Sequence, residues 1–214
     1  MLNMNFDERI VINTEEQPWQ PSPKQGVWRK PLAREEAEQG HATSIVKFEA
    51  GASFSEHNHP LGEEILVLEG VFSDHTGDYG PGSYIRNPKG FIHAPFSKEG
   101  CTLFVKLHQF QNDDTTQINI STNTTPWLPG QGNLQVMPLH SHKTESTALV
   151  MWPANEQFKP HRHMGGEEIL VLQGTFIDEH GRYPKGSWIR NPHMSVHNPY
   201  VEEPTIIWVK TGHI

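Results

Sequence analysis

Polar and apolar positions along this chain fall into short runs, and none of them keeps a helical period. Residues 9–14 (Arg-Ile-Val-Ile-Asn-Thr) and 117–122 (Gln-Ile-Asn-Ile-Ser-Thr) alternate, which suits an opening strand with one buried face. Residues 44–48 and 148–152 are rich in β-branched and aromatic side chains and read as strands. Residues 65–72 and 169–177 are nearly continuous apolar runs interrupted by Gly70 and Gly174, where a bulge or bend is expected. Turn sequences follow at 74–77 and 178–181. Strands closing each series are expected at 102–107 and 206–209. Many short strands separated by turns predict an all-β sandwich or barrel.

The same pattern occurs twice. The opening strands, each followed by Pro-Trp (Pro18-Trp19, Pro126-Trp127), are offset by 108 residues. From Phe48 and Trp152 onward the offset settles at 104. The first copy is therefore longer around residues 33–40, where Arg34, Glu35, Glu36 and Glu38 predict a solvated loop or a single helical turn. Residues 110–116 read as the linker between copies. The expected architecture is two jelly-roll β-barrels in tandem, residues 1–111 and 112–214.

Composition narrows the function. With 17 Lys and Arg against 25 Asp and Glu, the chain has a formal charge of −8 and no basic run, which argues against a nucleic-acid or anionic-membrane partner. Cys101 is the only cysteine, so there is no intrachain disulfide. Its apolar surroundings predict a buried structural thiol. Asp7 and Glu8 near the first residue, with no long apolar run, argue against a signal peptide or membrane span. A soluble, cytoplasmic protein is expected.

The candidate chemistry lies in His57-Asn58-His59-Pro60-Leu61-Gly62-Glu63, which returns as His161-Arg162-His163-Met164-Gly165-Gly166-Glu167. Histidines at i and i+2 share one face of a strand, and the glutamate after the turn opens the next strand. His93 and His197 complete two four-residue sets. His161, His163, Glu167 and His197 each stand 104 residues after their counterparts. Three neutral imidazoles and a carboxylate suit one divalent transition-metal ion per half. Six-coordinate iron(II), manganese(II) or nickel(II) would leave two positions for water, substrate or dioxygen, whereas zinc could close a four-coordinate site. Glu64 and Glu168 should point to the opposite strand face, toward Arg86 and Arg190. His140-Ser141-His142, with Glu145 beyond, imitates the motif but has no fourth partner. His75, His108, His180 and His213 read as solvated. Phe91 precedes His93 where Ser195 precedes His197, so the second site should have more room. Alternation points Arg162 away from the metal.

These residues resemble the cupin motif G-x5-H-x-H-x3-E-x6-G, carried by Gly51, His57, His59, Glu63 and Gly70. Gly82 with His93 is similar to the second cupin motif. The run G-E-E-I-L-V-L-x-G-x-F and the I-R-N-P before the last histidine are most similar to the cupin domain of the ChrR anti-sigma factors. The second copy lacks the leading glycine, with Ala154 to Glu156 in its place. The resemblance implies a bicupin of two double-stranded β-helix barrels that takes a small-molecule ligand or substrate, with a homodimer left open. It further implies dioxygenase- or isomerase-like chemistry or, alternatively, a ChrR-like sensor that binds without turnover. ChrR factors place a helical zinc-binding domain with paired cysteines ahead of the cupin. This chain has one cysteine and is already cupin-like from its start, so anti-sigma activity is not expected.

Overall fold

The structure, a computed structural model, describes residues 1–37 and 39–214. Two compact units account for the chain. One comprises residues 1–4 and 18–125, the other residues 5–17 and 126–214. Among the described residues the regular structure is β-strand apart from one 3-10 turn, Thr14–Glu16. No helix is long and apolar enough to cross a membrane.

In the first unit a seven-stranded antiparallel sheet runs in the order Ile118–Ser121, Ser83–Asn87, Glu63–Gly70, Cys101–Leu107, Ala42–Phe48, Val27–Arg34, Gln20–Pro21. The second unit repeats it as Ile10–Asn13, Ser187–Asn191, Glu167–Gln173, Thr205–Thr211, Glu145–Trp152, Gln135–His142, Leu128–Pro129. Each unit adds a hairpin (Phe72–Asp74 with Gly77–Tyr79, Thr175–Asp178 with Gly181–Pro184) and a two-residue ladder that carries histidines. This is the expected all-β, twofold-repeated architecture.

The opening strands depart from a simple cut at residue 112. Ile10–Asn13, from the first repeat, pairs with Ser187–Asn191 in the second unit. Ile118–Ser121, from the second repeat, pairs with Ser83–Asn87 in the first. The sequence repeats and the spatial units therefore differ by one exchanged strand each. Residues 110–116 are also more than a linker. Arg86 donates to Asp114 at 2.7 Å with both side chains buried, and its guanidinium lies 3.8 Å above the Phe110 ring. In the insert at 33–40, Arg34 ends a strand and residues 35–37 and 39–40 form bends, so the described part is loop. Glu38 lies outside the described residues.

Inward-facing residues of each sheet make the core. Phe48 meets Phe54 and Phe72 edge-on at 5.5 and 6.1 Å, and Trp152 meets Phe158 and Phe176 at 6.1 and 5.6 Å. Such pairs add about 0.5–1.5 kcal/mol each beyond area burial. The alternate residues Leu66, Tyr84 and Phe104, and Leu170, Trp188 and Trp208, are buried as well. Burial on both faces explains why residues 65–68 and 169–172 read as unbroken apolar runs. Gly70 ends the first of those strands and Gly174 follows the second, with φ of +69° and +73°. A Cβ on Gly70 would stand 2.1 Å from the Gly100 carbonyl oxygen, so only glycine fits. The sheet register slips close by, between Thr102 and Leu103 and between Val171 and Gln173, as a bulge requires.

Candidate metal centres

The two-residue ladders explain why the motif histidines converge. His57 pairs directly with His93, and His161 with His197, in antiparallel register. Residues so placed project on one side of the ladder. His59 and His163 follow two residues later on the same side. A turn then returns the chain to the main sheet, whose first inward residue is Glu63 or Glu167. Asn87 donates to Glu63 at 3.2 Å, and Asn191 to Glu167 at 2.9 Å, fixing which way each carboxylate points.

In the second unit, ligand-type atoms of His161, His163, Glu167 and His197 all lie within 4.8 Å of one another. His163 Nε2 is 3.0 Å from His197 Nε2, and Glu167 Oε2 is 3.5 and 3.6 Å from the two nitrogens. Ligands about 2.1 Å from a common ion sit about 3.0 Å apart at right angles and about 3.4 Å apart at tetrahedral angles, so these separations fit one cation. In the first unit His57, His59 and His93 group in the same way. Glu63 joins them, with Oε1 3.4 Å from His59 Nε2 and Oε2 3.5 Å from His93 Nε2. Both those nitrogens are buried without a hydrogen-bond partner. A buried polar atom without a partner is costly, and a cation shared among the set is the group that would satisfy it.

For His59, His163, His93 and His161, all lowered by burial, the electrostatics favour the same reading. Burial first, then the neighbouring imidazoles, depress His59 and His163 to about 3, so both present lone pairs at neutral pH. Burial raises Glu63 and Glu167, an effect partly offset by the nearby histidines and asparagines. Three of the four outer ring nitrogens are hydrogen-bonded, and that of His197 faces a carboxylate beyond hydrogen-bond reach. His57 and His161 Nδ1 lie 2.7 and 3.1 Å from the Ser55 and Lys159 carbonyls, which aims Nε2 inward. His93 Nδ1 lies 3.3 Å from Asp74 Oδ2, and His197 Nδ1 3.6 Å from Asp178 Oδ2. His197 is raised because Asp178 and Glu167 outweigh its burial.

Asp74, Asp178, Asn87 and Asn191 support the sites and were not singled out by sequence reasoning, although each aspartate opens a predicted turn and each asparagine sits in I-R-N-P. Their recurrence at the offset of 104 was the available signal. Arg9, which donates to Asp178, Asn191 and the Tyr183 hydroxyl's oxygen, gave no such signal.

Other expected placements divide. Glu64 and Glu168 face away from the sites, accepting from Tyr84 and Trp188 at 2.8 and 2.7 Å. Arg86 pairs with a carboxylate, Asp114, and Arg190 donates to the Asn5 carbonyl at 2.8 Å. His140, His142 and Glu145 belong to neither metal-type group. Cys101 is buried, and burial pushes its thiol pKa up. His75 and His180 are exposed. The solvated reading fails for two histidines. His213 Nε2 meets Glu168 at 3.1 Å, and His108 lines the first cavity beside His59. A residue's rank after a strand end says little about burial when the chain then turns back over the barrel mouth. Arg162 is exposed between half-buried His161 and buried His163, as alternation predicts, and borders the second cavity.

Each set opens onto a largely apolar cavity, about 240 Å³ in the first unit and about 450 Å³ in the second. Phe54 and Phe158 pack on His57 and His161, and Phe72 and Phe176 on His93 and His197. Phe91 stands edge-on to His93 at 5.6 Å.

Known proteins agree with this fold. A Nostoc punctiforme protein described as a proposed dioxygenase is 14% identical, with a TM-score of 0.80 over 95% of this chain and 82% of its own. Bacillus subtilis oxalate decarboxylase, a protein with Mn(II) centres, is 13% identical, with a TM-score of 0.66 over 94% and 76%. A cupin 2 conserved barrel protein from Leptotrichia buccalis is 11% identical, with a TM-score of 0.67 over 99% of both chains. No curated protein matches the sequence at a significant level. The ChrR cupin-like domain family matches residues 7–111 and again residues 115–214. The chain belongs to that family, as a bicupin that carries its domain twice.

Proposed function

We propose that each unit holds one divalent transition-metal ion, through His57, His59, Glu63 and His93 and through His161, His163, Glu167 and His197, and that the protein is a metal-dependent enzyme acting on a small molecule, dioxygenase- or isomerase-like. One observation carries this reading: His161, His163, Glu167 and His197 gather in one unit, and His57, His59 and His93 in the other with Glu63 beside two of them, each at the wall of an apolar cavity. Bound there, iron or manganese would supply Lewis-acid or one-electron chemistry. The chain's own residues hold and orient. Asp74 holds the tilt of His93 by a hydrogen bond and Asp178 places a negative charge beside His197, Asn87 and Asn191 fix the glutamates, and phenylalanine rings pack on the imidazoles.

A second reading follows from the family match: a ChrR-like module that binds metal and ligand without turnover. Metal analysis of protein purified without chelators or a metal-affinity tag, followed by an oxygen-uptake screen with diketones, catechols and hydroxy acids, separates the two. Iron or manganese with uptake supports the enzyme. Zinc at both sites with no turnover supports the sensor.

A further inference from the structure

The two cavities are built on the same strand registers, yet each buries a different unpartnered polar group in its wall. Ser44 stands opposite Val105 as Ala148 stands opposite Val209, and Phe48 opposite Cys101 as Trp152 opposite Thr205. Ser44 lines the first cavity, and its hydroxyl is buried without a hydrogen-bond partner. Trp152 lines the second, and its indole Nε1 is buried without one. Among the described residues, and apart from the ligand sets, no other side chain lining either cavity is in that position.

The indole makes the stronger demand. A serine hydroxyl turns and serves as donor or acceptor, whereas an indole N–H only donates, in a direction fixed by its ring. Trp152 is 4% exposed, so bulk water does not reach it. The core cluster that holds it is apolar except for Tyr183, whose hydroxyl is already bonded to Arg9 and Asp178. Phe48 fills the corresponding place in the first barrel with no polar atom, so packing alone does not call for an indole. A buried donor left without an acceptor is destabilising, and in this barrel the open side from which an acceptor can come is the cavity.

The indole also lies one aromatic layer from the metal-type set. Trp152 meets Phe158 at 6.1 Å and Phe176 at 5.6 Å, and these rings pack on His161 and His197 at 4.7 and 6.0 Å. Both the set and the indole face the same cavity of about 450 Å³, whose wall between them is largely aliphatic, with Val136, Val150, Ile207 and Val209.

Resting on the metal-site reading above, we propose that the second unit's cavity binds a small, largely apolar molecule with two oxygen-bearing ends. A chelating end is directed to His161, His163, Glu167 and His197, and a carbonyl or ether oxygen at the other accepts from the Trp152 Nε1–H. A molecule without that oxygen leaves the donor unpartnered and is discriminated against. The first unit, with Phe48 in this place, does not make the contact.

The test uses the full chain with His57→Ala/His59→Ala, so that only the second site chelates, loaded with zinc(II). The probes are 2-oxooctanoate, whose tail is apolar, and 2,5-dioxooctanoate and 2,7-dioxooctanoate, which carry a ketone at different reach. Calorimetric titration gives the affinity of each dioxo acid relative to 2-oxooctanoate. For at least one of them this ratio should be about fivefold or more higher with Trp152 than in Trp152→Phe, as one hydrogen bond to an otherwise unpartnered donor gives. With the indole nitrogens labelled for NMR, the signal missing from Trp152→Phe should move downfield with that dioxo acid and not with 2-oxooctanoate. The remaining indole signals, dispersed in both proteins, report that each is folded. A ratio that the substitution leaves unchanged for both dioxo acids overturns the proposal, and so does a Trp152 signal that responds to all three probes alike. Metal content of the same samples keeps the two ideas apart. A filled site with neither effect refutes the acceptor contact alone, and an empty one refutes the metal reading and the proposal with it.

Discussion

Replacing Arg9 with methionine should weaken the second metal site and leave the first untouched. Arg9 enters the second unit on the strand exchanged from the first repeat. Its Nη2 donates to Asp178 at 3.0 Å and to the Tyr183 oxygen at 2.7 Å, and its Nε donates to Asn191 Oδ1 at 2.9 Å. Asp178 faces His197, and Asn191 donates to Glu167, so one guanidinium braces the supports of two proposed ligands. Burial alone would raise Asp178, but contacts from His197, Tyr183, the His180 amide and Arg9 hold it at about 2. The carboxylate therefore stays ionised in the variant, and the loss is one of position. Arg9 also decides which end of the Asn191 amide faces Glu167, because the amide oxygen is occupied by Nε. Losing such a support costs about 10–100-fold in metal affinity, or about 1.4–2.7 kcal/mol. The Arg9 side chain is 26% exposed, which favours the lower end. At the corresponding sequence position the second repeat carries Gln117, which is exposed, so Gln117→Met is the matched control. Chelator competition in a His57→Ala/His59→Ala background reads the second site alone, and a His161→Ala/His163→Ala background reads the first. Equal second-site affinity with and without Arg9, or equal loss at both sites, would refute this reasoning.

Three further outcomes are expected. His57→Ala/His59→Ala should reduce bound metal from about two ions to about one per chain, measured by elemental analysis, because the second set shares no residue with the first; two ions retained would displace the ligand assignment. Arg86→Met should destabilise the protein by about 1–3 kcal/mol, because it removes a buried charge-assisted contact to Asp114, which keeps the Thr116 amide. An unchanged urea midpoint would show that this pair contributes nothing. Gly70→Ala should cost about 1–3 kcal/mol, since φ is +69° and the new methyl meets the Gly100 carbonyl oxygen. A melting temperature equal to wild type would contradict it.

What the sequence made legible is what has a short period or recurs at a fixed offset. The ligand-type residues were found because all four positions recur at one spacing, and strands because period two is local. His108 was misread as solvated for the opposite reason. It does not recur, and its placement depends on how the chain turns after its strand ends. Asp74 and Asp178 carry two roles, and only one was visible. Their Oδ1 atoms accept from the Thr76 and His180 amides as turn residues do, while their Oδ2 atoms face His93 and His197.

The exchanged opening strands show where local patterning stops deciding topology. Ile10–Asn13 and Ile118–Ser121 carry the same alternation and would fit the edge of either sheet. Hydrophobic period specifies that such a segment is a strand and which face is buried, but not which of two near-identical edges receives it. Longer-range contacts that the repeat does not share decide between them. Arg9 reaches Asp178, Tyr183 and Asn191 only from the edge beside Ser187–Asn191, and Arg190 reaches the Asn5 carbonyl and the Phe6 ring there. The other edge has its own lock. Thr122 donates to the Gly82 carbonyl, Asn123 to the Pro81 carbonyl, and Asp114 binds Arg86. The threonine contact is common to both edges, since Thr14 meets Gly186 as Thr122 meets Gly82. What distinguishes them is Arg9 against Gln117 and Asp114 against Phe6, and the exchange is what brings Arg9 to the second site.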